Sequence, residues 1–166
     1  IVTSGILHDP TRGIIPEKTL RAIDPAAMAQ VFAINSIGPA LIAKHMLPLL
    51  PRDRRGVFAA LSARVGSISD NRLGGWHAYR ASKAALNMLV TNFAIEMGRG
   101  NPHAIVVALH PGTVATPLSA PFQRGVPEGR LFTPDVSASH LMKVIDDLGP
   151  EDNGGFFGWD GARIEF

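Results

Sequence analysis

Ala104-Ile105-Val106-Val107-Ala108-Leu109 is an unbroken apolar run that stops at His110-Pro111-Gly112. A strand wetted on one face alternates apolar and polar residues; a strand covered on both faces does not. The run therefore reads as a buried strand of a parallel sheet. Gly56-Val57-Phe58-Ala59-Ala60-Leu61 has the same character, and Ile1-Val2-Thr3-Ser4-Gly5 reads as the end of another such strand entering a turn. Helical patterns lie between them. Asp24 as N-cap and Pro25 at the first helical position announce a helix through Phe32, Asn35 and Leu41 to about Leu47, before Pro48 and Pro51. A second long helix spans about Tyr79 to Met97, with Leu86, Leu89, Val90, Phe93 and Met97 at helical spacing and Gly98 at its end. Strands alternating with helices predict an α/β fold with a parallel sheet.

The connections follow from the remaining composition. A Gly/Ser/Asn-rich loop is expected from Ser62 to Gly75, and a mobile Pro/Gly-rich loop from Pro117 to Pro134. A last helix runs from about Asp135 to Leu148, and Gly154 to Gly161 reads as a loop and a final strand. Hydrophobic content of 46% and charged content of 18% suit one globular domain over residues 1–166. The net charge of +2 is scattered, Arg52-Asp53-Arg54-Arg55 reads as a solvated loop, and no aromatic-basic stripe suggests a nucleic-acid partner. No apolar run approaches a membrane span and no signal peptide is visible. The absence of cysteine excludes disulfides and thiol chemistry, with the cytoplasm as the default location. No His-x-x-x-His, His-Glu-x-x-His or Gly-x-Ser-x-Gly pattern is present, so neither metal catalysis nor an α/β-hydrolase site is expected.

Tyr79-Arg80-Ala81-Ser82-Lys83 places a phenol and an amine four residues apart on one helix face. A free phenol loses its proton near pH 10, and working near neutrality needs a shift of roughly 2–3 units, about 3–4 kcal/mol. One ammonium about 4 Å from the phenolate supplies about 4 kcal/mol at an effective dielectric near 20. A single lysine is therefore sufficient in magnitude to make a base of the phenol. Solvated helix faces carry the same spacing, so the pair takes its meaning from its company. Pro39 has no N–H for the carbonyl of Asn35, and Gly38 weakens the helix further, which should free that carbonyl to hold a water. Ser62 follows one strand. Pro111-Gly112-Thr113-Val114-Ala115-Thr116 follows the next at its C-terminal end, where ligands bind in open α/β sheets.

In this order the pieces resemble the C-terminal two-thirds of a short-chain dehydrogenase/reductase, over essentially the whole chain. Tyr79-Arg80-Ala81-Ser82-Lys83 and His110-Pro111-Gly112 are similar to the C-factor-like branch. The resemblance implies a Rossmann-like doubly wound parallel sheet lacking its first βαβαβ part, and an enzyme that interconverts an alcohol and a carbonyl with NADP or NAD. Tyr79 would be the general acid/base, and Lys83 would lower its pKa and bind the nicotinamide ribose. Asn35 would belong to the proton relay. Gly5 would allow close approach of the cofactor, the Val114 backbone would hold the carboxamide, and Thr116 would bind the amide or pyrophosphate beside Pro111 and Gly112. The family's Ser-Ser pair is here Ser62-Ala63, with Ala63 at the usual position counted from Gly66. Ser62, Ser67 or no serine would then polarise the carbonyl. Thr3 replaces an asparagine amide that braces the central strands. His77 reads as a loop histidine near substrate, and Phe122, Leu131 and Phe132 fall in a substrate lid or fill its packing. Small-molecule carbonyls or alcohols are the implied partners, with a homodimer or homotetramer as the assembly. The rival reading is a non-catalytic, Rossmann-like interaction or regulatory protein.

No Gly-x-x-x-Gly-x-Gly or Gly-x-Gly-x-x-Gly turn follows a strand, and the residue that reads the adenosine ribose is absent too. The expected parent is longer by two βα units and a strand, roughly 60–90 residues. An intact mass from the native source should therefore exceed 17.7 kDa clearly; a mass equal to it would refute this expectation.

Overall fold

β1 (Gly56–Leu61) and β2 (Ala104–His110) pair in parallel from Gly56 opposite Ala104 to Leu61 opposite Leu109. The computed structural model describes residues 1–166. The Pro111–Thr116 segment adds a parallel ribbon, β3 (Thr113–Val114) with β4 (Leu131–Phe132). β5 (Phe156–Gly158) joins the other side of β2, also in parallel, and Val2 bridges to Ala60 on the outer side of β1. The strand order is thus the N-terminal segment, β1, β2, β5. This is the parallel α/β sheet that the apolar runs predict.

Both faces of the sheet are covered, which explains why the strands lack polar alternation. Successive side chains point to opposite faces. Phe58, Ala60, Val106, Ala108 and Phe156 face one core with Leu86 and Val90. Ala59, Ile105, Val107, Leu109 and Phe157 face the other with Leu141, Val144, Ile145 and Leu148. The first core is roofed by α3 (His77–Gly98) and the second by α4 (Pro134–Asp147). Thr133 caps α4 by accepting the Val136 N–H through its hydroxyl.

The first long helix is not continuous. α1 (Pro25–Phe32), capped by the Asp24 carboxylate on the Ala27 N–H at 2.7 Å, passes through a π turn at Ala33–Ile37 into α2 (Gly38–Met46). The turn stands where Pro39 removes a donor; the Gly38 N–H reaches back to the Ala33 carbonyl instead. The run Pro25–Leu49 has a window of mean hydropathy 1.5 and is long and apolar enough to cross a membrane, contrary to expectation. Here it lies as a layer, with buried Asn35 and Ser36 hydrogen-bonded to Ser82 of α3 at 3.0 and 2.7 Å.

Three further segments depart from expectation. His77 is the first residue of α3 and not part of a loop. The Pro117–Pro134 segment is partly ordered by backbone bonds, with a 3₁₀ turn at Ala120–Gly125 and β4. The final strand is only Phe156–Gly158, because Gly158 and Gly161 close a turn immediately after it.

The loop after β1 lies directly on α3. A Cβ at Gly66 would stand 2.6 Å from the Lys83 Cβ and 2.9 Å from its main-chain carbon, which only glycine avoids. Gly66→Ala should cost about 1–3 kcal/mol of stability, as other overpacked contacts do; urea unfolding checks this, and an unchanged midpoint would refute it.

Candidate active site

The C-terminal ends of the strands surround a cavity of about 660 Å³. Tyr79, Lys83, Ser62, Gly5, Pro111, Gly112, Val114 and Thr116 all line it. Tyr79 and Lys83 reach it from the first two turns of α3, with the Lys83 Nζ 6.0 Å from the phenol ring centroid. The Lys83 ammonium donates to the Leu61 carbonyl at the end of β1 at 2.8 Å. Gly5 completes this corner: a Cβ there would stand 3.5 Å from the Lys83 Nζ and 3.7 Å from the Asn35 Oδ1.

Asn35 does not line the cavity. Its side chain braces the N-terminal loop, accepting the Ile6 N–H at 2.7 Å and donating to the Ile6 carbonyl at 2.8 Å. Its amide also donates to the Ser82 hydroxyl at 3.0 Å, which itself donates to the Tyr79 carbonyl at 2.8 Å. Asn35 thus ties the loop beside Gly5 to the turn of α3 that bears Tyr79.

Of the two serines, Ser62 faces the cavity and Ser67 does not. Ser67 is buried against the C-terminal segment, donating to the Glu165 carbonyl and accepting the Asp70 N–H, so its hydroxyl is structural. Ser62 donates to the Asn87 Oδ1 at 2.6 Å. Ala63 packs on Tyr79 beside Leu7.

On the far wall, Gly112 has φ +76°, and a Cβ there would come within 2.7 Å of the Phe132 ring and 3.0 Å of Trp159. Phe132 thereby buttresses the Pro111-Gly112 turn from outside the cavity. Leu131 is exposed. Phe122 is the lid residue that does line the cavity, packed on Trp76 with ring centroids 4.8 Å apart. Sequence reading missed Leu7, Trp76 and Leu118, which lie in segments without a strong periodic signal. The Gly74-Gly75 pair before Trp76 was the available clue, since paired glycines mark backbone that can take positive φ, as both do.

Burial moves the two titrating groups in opposite directions. It pushes the Tyr79 phenol up to about 12 and the Lys83 amine down to about 8. The expectation that Lys83 brings Tyr79 toward neutrality is not met in the unliganded structure, where burial is the cause of the Tyr79 shift and Lys83 does not contribute to it. His110, also lining the cavity, is held down to about 4 by burial and by Arg64, and its Nδ1 has no partner.

A family model described as short chain dehydrogenase matches residues 11–126. The chain is 39% identical over 143 residues to the "C-signal" protein of Myxococcus xanthus, which covers 86% of this chain and 80% of that protein. It is 35% identical over 145 residues to a 1-hydroxy-2-glutathionyl-2-methyl-3-butene dehydrogenase of a Rhodococcus species, covering 87% of this chain and 61% of that enzyme. The structure is similar to the carbonyl reductase Sniffer of D. melanogaster, with a TM-score of 0.81 and 25% identity, covering 98% of this chain and 63% of that one. It is also similar to an NADPH-bound carbonyl reductase from chicken fatty liver, with a TM-score of 0.78 and 29% identity, covering 97% of this chain and 64% of that one.

The Lys83 shift has a stability consequence. A buried base with a depressed pKa is carried in its charged form at a cost below its folded value. That cost is relieved as pH rises from about 8 toward the ordinary 10.5. Wild type should therefore gain stability relative to Lys83→Met between pH 7 and 10, by up to about 3 kcal/mol. Urea unfolding at several pH values checks this, kept below the range where Tyr79 titrates. A constant difference between the two proteins would refute it.

Proposed function

The chain belongs to the short-chain dehydrogenase family, and from that premise we propose that the protein interconverts an alcohol and a carbonyl, with NADP or NAD as cofactor. The observation that carries this reading is the convergence of Tyr79, Lys83, Ser62 and the Pro111–Thr116 turn on one cavity. Gly5 fits a flat ring approaching the backbone, since a side chain there would fill the space beside Lys83 and Asn35. When bound, the nicotinamide supplies or accepts the hydride.

The chain's own residues do the rest. Tyr79 holds its phenol proton toward the cavity and exchanges it with the substrate oxygen. Lys83, anchored on Leu61, would hold the nicotinamide ribose and places positive charge beside the phenol ring. Val114 would offer its backbone to the carboxamide, with Thr116 and Pro111 beside it on the cavity wall. Ser62 is the hydroxyl available to polarise a carbonyl, once its proton turns from Asn87. The Asn35 main chain, with no N–H at Pro39 to bond, serves the proton relay. The NADPH-bound carbonyl reductase among the structural relatives supports NADP as the form used.

Exposed apolar residues on the outer helices, among them Ile37, Leu41, Met88 and Ile95, support a homodimer or homotetramer. The cysteine-free composition supports the cytoplasm. One observation favours the rival reading of a non-catalytic interaction protein: Ser62 already donates its proton to Asn87, and Ala63 offers no hydroxyl.

Tyr79→Phe separates the two readings. Carbonyl reduction by the complete protein should fall about 10²–10⁴-fold, the usual worth of a positioned acid/base, while NADPH binding by fluorescence titration stays within about threefold. Undiminished reduction would overturn the assignment of Tyr79.

A further inference from the structure

Glu17 is buried, yet no cation pairs with it. Both carboxylate oxygens accept the Ala78 N–H at 3.2 Å, and its main-chain carbonyl accepts the Trp76 N–H at 2.5 Å. These bonds fall on the residue just before α3 and on its first turn. A helix start leaves N–H groups without intrahelical partners, and the usual acceptor is a Ser, Thr, Asn or Asp just before the helix. Here that position is Trp76, which makes no side-chain cap bond and has φ +50°. A bulky residue in the left-handed region is strained and persists only when its surroundings hold it.

The cap has thus been moved to a distant residue, and the N-cap position is left to an indole. That ring packs edge-on against Tyr79, with centroids 6.3 Å apart, and against Phe122 on the lid side. Gly75, which lies against the Glu17 carbonyl, has φ +66°, a conformation that glycine adopts without strain. Other charges nearby are otherwise engaged. Arg80 donates to the carbonyls of Gly74, Gly75 and Val65, and Lys83 is the cation against the Tyr79 ring.

We propose that Glu17 is a positioning residue for Tyr79: it holds Trp76 and the first turn of α3 so that the indole shields the phenol from water. The inference rests on the reading of Tyr79 as the acid/base, and it links the segment around Glu17 to the reacting group without contact with substrate.

The shielding can be read without turnover. In the complete protein, the difference in absorbance against Tyr79→Phe isolates this one phenol. A stopped-flow jump to pH 11, read before unfolding, gives its ionised fraction. A phenol near 12 is about one-tenth ionised there, and one near 10 about nine-tenths. Wild type and Glu17→Gln, which keeps an acceptor for Ala78, should give the low fraction. Glu17→Ala should give a rise of about threefold or more as water reaches the ring. Leu148→Ala, which loosens the opposite core, should lower thermal stability without moving the fraction. Should Glu17→Ala not fold, Glu17→Asp is read by the same jump and should give about a twofold rise. In turnover, Glu17→Ala should lower kcat with little change in KM. An ionised fraction in the Glu17 variants equal to wild type, or an equal rise in Leu148→Ala, would overturn the proposal. A normal result here with turnover independent of Tyr79 would instead sink the acid/base reading.

Discussion

The contact on which the site depends is the seating of α3 on the end of β1. The Lys83 ammonium takes the Leu61 carbonyl, a group at the strand's end that the sheet no longer pairs. Gly66 lets the following loop close onto the Lys83 backbone from the other side. Asn87, one turn further along the helix, accepts from Ser62 and donates to the Gly66 carbonyl at 3.4 Å. Two successive turns on one face of α3 are thereby fixed against one loop. A buried amine needs such an acceptor, because an unpaired charge away from water is costly. The bond that satisfies Lys83 also sets where Tyr79, one turn earlier, meets the cavity.

The π turn in the first long helix solves a related problem. Pro39 deletes a helical donor, and the backbone absorbs the loss by widening a turn. That places Asn35 and Ser36 side by side on the inner face, where both reach Ser82. Ser82 in turn donates to the Tyr79 carbonyl. A helix composed almost entirely of apolar residues thus carries a polar seam at one point. The seam joins the Ile6 loop to α3, which makes it a register mark for the packing of these elements.

The fold was legible because its signals are local and repeated. Unbroken apolar strands imply two covered faces, and the two cores divide the β1 and β2 residues by parity. Asp24 and Pro25 marked a true helix start. Tyr79, Lys83, Ser62, Gly5 and the Pro111–Thr116 turn were legible because strand ends and a helical repeat place them together. What escaped depends on long-range contact. No local pattern says that Ser67 serves the C-terminal segment, or that a glutamate some sixty residues away caps α3. The electrostatics escaped for a different reason: spacing along a helix shows which groups meet, but not how much water they lose.

That loss of water decides which way the proton transfer is set. At neutral pH a phenol near 12 keeps its proton, and an amine near 8 is still mostly charged. On the proposed reading, Tyr79 therefore waits as a donor. A carbonyl that has gained hydride becomes an alkoxide, whose conjugate acid is about as weak as water. A phenol near 12 is still the stronger acid, so donation runs downhill without any prior shift. The reverse direction is harder. Taking a proton from an alcohol requires a phenolate, and making one at neutrality from a pKa near 12 needs about 7 kcal/mol. Lys83 at its present distance does not provide it. On that reading the unliganded cavity holds the phenol in its acid form, and the phenolate that oxidation needs calls for additional positive charge near Tyr79, or closer approach by Lys83, when the cavity is filled.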